Sequence, residues 1–126
     1  MQTTFAHESF EVWPLALDFI AHAGDTAQFF PKGRAFLGDQ LSRASTSIAL
    51  NIAEGAGEFS GKDKARFYRI ALRSATECAA VYDVAFRLRA TSMERHQTGK
   101  AMLNTIVAQL TGLAKSVSRR RGQKGG

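Results

Sequence analysis

Three sets of residues in this chain are of types that could do chemistry, and their spacing decides what each can do. The first is glycine-rich: Gly55, Gly57 and Gly61 lie in the segment EGAGEFSG, which invites comparison with loops that wrap backbone N–H groups around a phosphate. The P-loop pattern fails, because Ala56 stands where glycine is required and Asp63 follows Lys62 where Ser or Thr is needed. A dinucleotide fingerprint fails as well, since Ser60 occupies the third glycine position and no strand precedes it. The segment reads as a helix-to-helix turn. The second set holds His7, His22, His96 and Cys78. The histidines fall in three separate segments without metal-ligand spacing, so neither a metal site nor a cofactor is expected. Cys78 recurs with apolar residues and reads as a buried thiol, and no serine has the context of a nucleophile.

The third set consists of two polar rows. Gln40, Arg43, Ser47, Asn51 and Glu54 recur at intervals of three and four, forming a stripe beside an apolar one. Ser74 and Glu77, in the middle of the next helical segment, face this stripe if the two helices run antiparallel, and an Arg43–Glu77 pair is expected. A carboxylate held by arginine has a lowered pKa, which suits a structural network fixing register better than general-acid catalysis. The second row is cationic. Lys62, Arg66, Arg69 and Arg73 recur at four, three and four, pointing away from the apolar seam of their helix, with Arg87 further along nearly the same line. A solvated face is the bland account of such a row, and contact with a phosphate backbone is the functional one. Arg119, Arg120 and Arg121 add a basic arm of the same character.

The elements that carry these rows are helical. The chain has 126 residues, 44% of them hydrophobic, with only two prolines and one cysteine, a composition for one helix-rich domain in a reducing, cytoplasmic compartment. No basic, apolar leader opens it, and no run is apolar enough to span a membrane. Net charge is +6, but Lys115, Arg119, Arg120, Arg121 and Lys124 supply most of it, so the remainder is nearly neutral. Helix one is predicted from Glu11 to Phe29, with Phe10, Trp13, Leu17, Ile20, Gly24 and Ala27 on its apolar face. Helix two follows from Ala35 to Ala56, buried through Leu37, Leu41, Ala44, Ile48 and Ile52. Helix three begins after an N-cap at Ser60, with a seam of Phe67, Ala71, Ser74, Cys78, Val81, Ala85 and Leu88. Thr91 and Glu94 form a capping-box pattern for helix four, which carries Leu103, Ile106, Leu110, Leu113 and Val117. Short connections imply an all-α, antiparallel up-down-up-down four-helix bundle over residues 1–118, with residues 119–126 as a flexible basic tail.

The stretch from Gln40 to Glu77 resembles the signature of the 23S rRNA intervening-sequence proteins. The family pattern Q-x-x-R-A-x-x-S-I-x-x-N-I-A-E-G is matched by Gln40, Arg43, Ala44, Ser47, Ile48, Asn51, Ile52, Ala53, Glu54 and Gly55, and Ser60, Phe67, Ala71, Ser74 and Glu77 continue it. Val12 with Trp13 and Phe30 with Pro31 agree with the family's opening. This chain departs from the pattern at Glu58, where the family commonly has a basic residue, and at Gly38, where it commonly has a polar or aliphatic one. The resemblance implies a toroidal homopentamer without enzymatic activity, related to accessory proteins of diversity-generating retroelements that bind nucleic acid and a reverse transcriptase. Two functions follow as expectations. One is a homo-oligomeric adaptor for RNA or DNA acting through Lys62, Arg66, Arg69, Arg73 and the arm. The other is a scaffold for a protein partner such as a reverse transcriptase.

Overall fold

The computed structural model describes residues 4–125, with side chains as far as residue 119. Among these residues the order is a 3-10 turn (Ala6–Ser9), α1 (Val12–Gln28), a second 3-10 turn (Lys32–Arg34), α2 (Ala35–Gly57), α3 (Gly61–Arg87) and α4 (Met93–Gly125), with no strand. Local chemistry sets the boundaries. Pro14 sits in the first turn of α1, where its missing N–H has no helical partner, and Pro31 follows the last turn. Ser60 caps α3 by accepting from the Asp63 N–H at 3.1 Å, as its type predicts. Lys64 Nζ donates to the Ala56 carbonyl at 2.9 Å and so satisfies the closing turn of α2.

The cap of α4 differs from the expected box. Ser92, not Thr91, accepts the Arg95 N–H at 3.1 Å, while Thr91 Oγ1 is buried without a partner. Either hydroxyl can cap, and α3 ends in a turn through Arg89 (φ 59°) that brings Ser92 to the helix start. The helical backbone of α4 then runs on to Gly125, through residues expected to form a flexible tail.

Each helix packs against the next, and α4 also meets α1. One core joins all four through Phe19, Leu41, Ile48, Ile52, Cys78, Tyr82, Ile106 and Leu110, and a smaller cluster of Ala65, Tyr68 and Val117 closes the start of α3 on α4. The face of α2 is as expected: Leu37, Leu41, Ala44, Ile48 and Ile52 are all buried. The face of α1 is not. Val12, Ala16, Phe19, Ala23 and Thr26 are buried, whereas Leu17 and Gly24 are exposed and Trp13 and Ile20 lie at the margin. Two alanines on the buried line let α1 approach its neighbours closely, and larger apolar side chains flank that line.

On α3 the buried line is Ala65, Tyr68, Ala71, Ala75, Cys78, Val81, Tyr82 and Ala85, with Phe67 and Ser74 half-buried and Leu88 exposed. The Cys78 thiol is pushed up to about 12, chiefly by burial with a further contribution from Glu77, so it is an inert core group. Tyr68 and Tyr82 fill the space that the surrounding alanines leave. Each lies against a glycine of a neighbouring helix: a Cβ on Gly55 of α2 would sit 2.6 Å from the Tyr68 ring, and one on Gly99 of α4 would sit 2.5 Å from the Tyr82 ring. The Tyr82 hydroxyl is 2.8 Å from His22 Nδ1 of α1. No helix among the described residues is long and apolar enough to cross a membrane.

This packing makes two glycines respond oppositely to substitution. Gly99→Ala should destabilise by about 1–3 kcal/mol, because Tyr82 is enclosed and cannot yield, whereas Gly24→Ala, with open space around it, should stabilise by about 0.5–1 kcal/mol; urea denaturation of both variants checks this. Burial, aided by the charge of Arg95, lowers the pKa of His22 below its ordinary 6.5. The unfolded chain therefore takes up this proton first, so stability is full above pH 6.5 and declines as pH falls below it. His22→Gln should flatten that decline in melting temperatures measured from about pH 7.5 to about pH 5.

Candidate nucleic-acid interface on α3

The rotation of α3 decides where its charges go. With Ala71, Ala75, Cys78 and Tyr82 turned into the core, Arg66, Arg69 and Arg73 point outward together with Lys62 at the start of the helix. At 1.5 Å per residue the row is roughly 16 Å long. None of the four forms an ion pair among the described residues, and the Arg66 guanidinium rests over the Phe67 ring at 4.8 Å. These are free cations, held along one line by a helix that packing has fixed. Arg87 is also exposed but lies at the opposite end of α3.

Val117 of α4 packs with Ala65 and Tyr68, so the basic end of α4 is placed beside the start of α3. Arg119 is exposed at that end of α4. The side chains of Arg120 and Arg121 lie outside the described residues.

The polar stripe of α2 divides in two. Ser47, Asn51 and Ser74 form a half-buried network: the Ser47 and Ser74 hydroxyls pair at 2.8 Å across the helices, and Asn51 Nδ2 donates to the Ser47 carbonyl at 2.8 Å and to its hydroxyl at 3.1 Å. Gln40, Arg43, Glu54 and Glu77 are exposed, and the expected Arg43–Glu77 bond is not made. Two long exposed side chains gain little from pairing and lose rotamer freedom by it, so solvent takes both. What remains is a register device of three small polar groups, with no carboxylate in it. Among the described residues no three of His, Cys, Asp and Glu cluster as metal ligands would.

Sequence reasoning missed Tyr68 and Tyr82 as the residues that orient the row. Their signal was present: both stand in register with the alanines of the seam, and Gly55 and Gly99 lie within helices, where glycine needs a packing reason.

The fold and site define a class: an all-α, four-helix protein whose third helix presents an exposed cationic face. The chain belongs to the family of 23S rRNA-intervening sequence proteins, whose model matches residues 8–112. It is similar to a crystal structure from Bacteroides thetaiotaomicron, a protein of unknown function from the S23 ribosomal protein family, with 23% identity and a TM-score of 0.77 over 82% of this chain and 95% of the other. That likeness shows the fold. No curated protein matches the chain.

The α2–α3 network predicts a measurable coupling. Ser47→Ala should cost about 1–2 kcal/mol by leaving the Ser74 hydroxyl without its partner and Asn51 Nδ2 with only the backbone carbonyl of position 47, and Ser47→Ala with Ser74→Ala should cost less than the sum of the two single changes by about 0.5–1.5 kcal/mol, as read from a denaturation double-mutant cycle.

Proposed function

We propose that this chain is a non-enzymatic, homo-oligomeric adaptor that binds the phosphate backbone of RNA or DNA through Lys62, Arg66, Arg69 and Arg73. The observation that carries the reading is the freedom of these four cations: they stand in one line on the outer side of a rigid helix, and no carboxylate neutralises them among the described residues. Such a row has no means of reading base edges, so binding is salt-dependent and weakly specific. The proposal takes in Arg119, Arg120 and Arg121 on their charge alone.

In this reading the helices run up, down, up and down, and the copies assemble in the cytoplasm as a toroidal homopentamer. The outer face of α2 supports an interface between copies, because Phe36 and Leu50 are 55% and 57% exposed on the side that also carries Arg43 and Glu54. A ring repeats a weak patch, and a strand long enough to span several copies gains avidity.

Fluorescence anisotropy with labelled RNA and duplex DNA across a salt series tests the proposal. Reversing Arg66, Arg69 and Arg73 to glutamate should leave the fold and oligomer intact, weaken binding on every sequence alike, and flatten the slope of log affinity against log salt by roughly 0.7–0.9 for each phosphate no longer neutralised. Unchanged affinity in that variant overturns the site. Absence of binding by a well-assembled wild-type oligomer at low salt overturns the nucleic-acid reading in favour of a protein partner.

A further inference from the structure

The end of the bundle opposite the start of α3 carries a second concentration of cations, and there it is combined with exposed aromatic rings. The connection after α1 and the connection between α3 and α4 meet at this end, where Phe29 and Pro31 share one shallow cleft with Arg89, Thr91 and Arg95. A second cleft on the other side of Arg89 is lined by Asp83, Phe86, Arg87 and His96. Phe29 is 62% exposed and Phe86 40%, so both rings are open to solvent at this end.

Both rings are already held on protein groups. The Arg95 guanidinium lies 4.8 Å from the Phe29 centroid, and the His96 ring stacks on Phe86 at 4.7 Å with 16° between planes. The acids nearby are largely answered: Asp83 receives Lys100 at 2.7 Å and His96 at 2.8 Å, and Asp25 meets Arg95 at 3.5 Å. Arg87 and Arg89 are exposed and form no ion pair among the described residues.

Arg89 itself has φ 59°, the left-handed conformation that glycine adopts more easily, so a cation stands where turn geometry alone would favour glycine. Thr91 Oγ1, between the two clefts, is buried and has no hydrogen-bond partner.

We propose that this end of the bundle is a second site, which takes single-stranded nucleic acid by stacking an unpaired base on Phe29 and holding the adjoining phosphates with Arg89 and Arg95. A base has a π-face that an aromatic ring already backed by arginine can accept, and its phosphates need cations within a few ångströms of that ring. Duplex nucleic acid offers no free base face, and an acidic peptide has no use for the ring. The site is separate from the row on α3 and stands whether or not that row binds.

The test is anisotropy of the full chain with a labelled short oligo(dT) and with an abasic strand of the same length. The variants are Phe29→Ala, Arg89→Gly and, for comparison, Arg69→Glu with Arg73→Glu. Arg89→Gly removes the cation while relaxing the turn, so its melting temperature should equal or exceed that of the native chain, and a loss of binding is then not a loss of fold. Phe29→Ala and Arg89→Gly should each weaken oligo(dT) binding about fivefold or more, whereas the abasic strand should bind native and Phe29→Ala chains equally. The α3 variant should weaken both strands alike. Binding of oligo(dT) within twofold of native in both Phe29→Ala and Arg89→Gly overturns the proposal. Equal affinity of the native chain for abasic strand and oligo(dT) overturns it too.

Discussion

Two tyrosine–glycine contacts fix how α3 is turned, and the rest of the surface follows from that rotation. Tyr68 and Tyr82 are about four turns apart on one face of the helix, and each is fully buried against a backbone that only glycine brings close enough, Gly55 in α2 and Gly99 in α4. Between them the line is Ala71, Ala75 and Cys78, small enough for α2 and α4 to approach from both sides. A helix held at two such points cannot roll without driving a ring into a backbone. The contacts do for α3 what a longer apolar seam does elsewhere, with less hydrophobic surface.

This rotation is what makes the charge on α3 consequential. The core takes one face, the Ser47–Ser74–Asn51 network fixes the height of α3 against α2, and the remaining face carries Lys62, Arg66, Arg69 and Arg73 toward solvent. Placed on a loop, four cations would hold no fixed spacing. On this helix they form a line whose direction packing has set, and the contact of Val117 with Ala65 brings α4 beside its start. The exposed apolar residues Phe36 and Leu50 lie apart from that line on α2, and Phe29 is where the connections meet. The cationic row thus stands on α3, while Phe36 and Leu50 lie beside Arg43 and Glu54 on the outer side of α2.

Much of this was legible in the sequence because punctuation and period agreed. Pro31, the glycines around Gly57 and the hydroxyl of Ser60 located the helix ends to within a residue or two, and the seam of α2 had no rival. The face of α1 was misread because apolar residues occupy both candidate lines. The large side chains Trp13, Leu17 and Ile20 outweigh Ala16 and Ala23 in hydrophobicity, yet close approach favours the alanines. Tyr68 and Tyr82 escaped notice since a phenol is counted as half polar until its hydroxyl finds a partner, as Tyr82 does in His22. The Arg43–Glu77 pair was inferred from complementary charge alone, which says nothing about whether two exposed side chains will give up their freedom to each other. The outward direction of the cationic row, by contrast, could be read from its angle to the seam.

The central claim is that nucleic acid lies along the outward row of α3, and chemical footprinting of arginines reads it directly. Phenylglyoxal modification of the protein, mapped by mass spectrometry with and without RNA, should show Arg66, Arg69 and Arg73 protected by RNA, and Arg43 on α2 reacting to the same extent in both samples. Equal reactivity of the three α3 arginines with and without bound RNA contradicts the account, and RNA-dependent protection confined to Arg43 contradicts it as well.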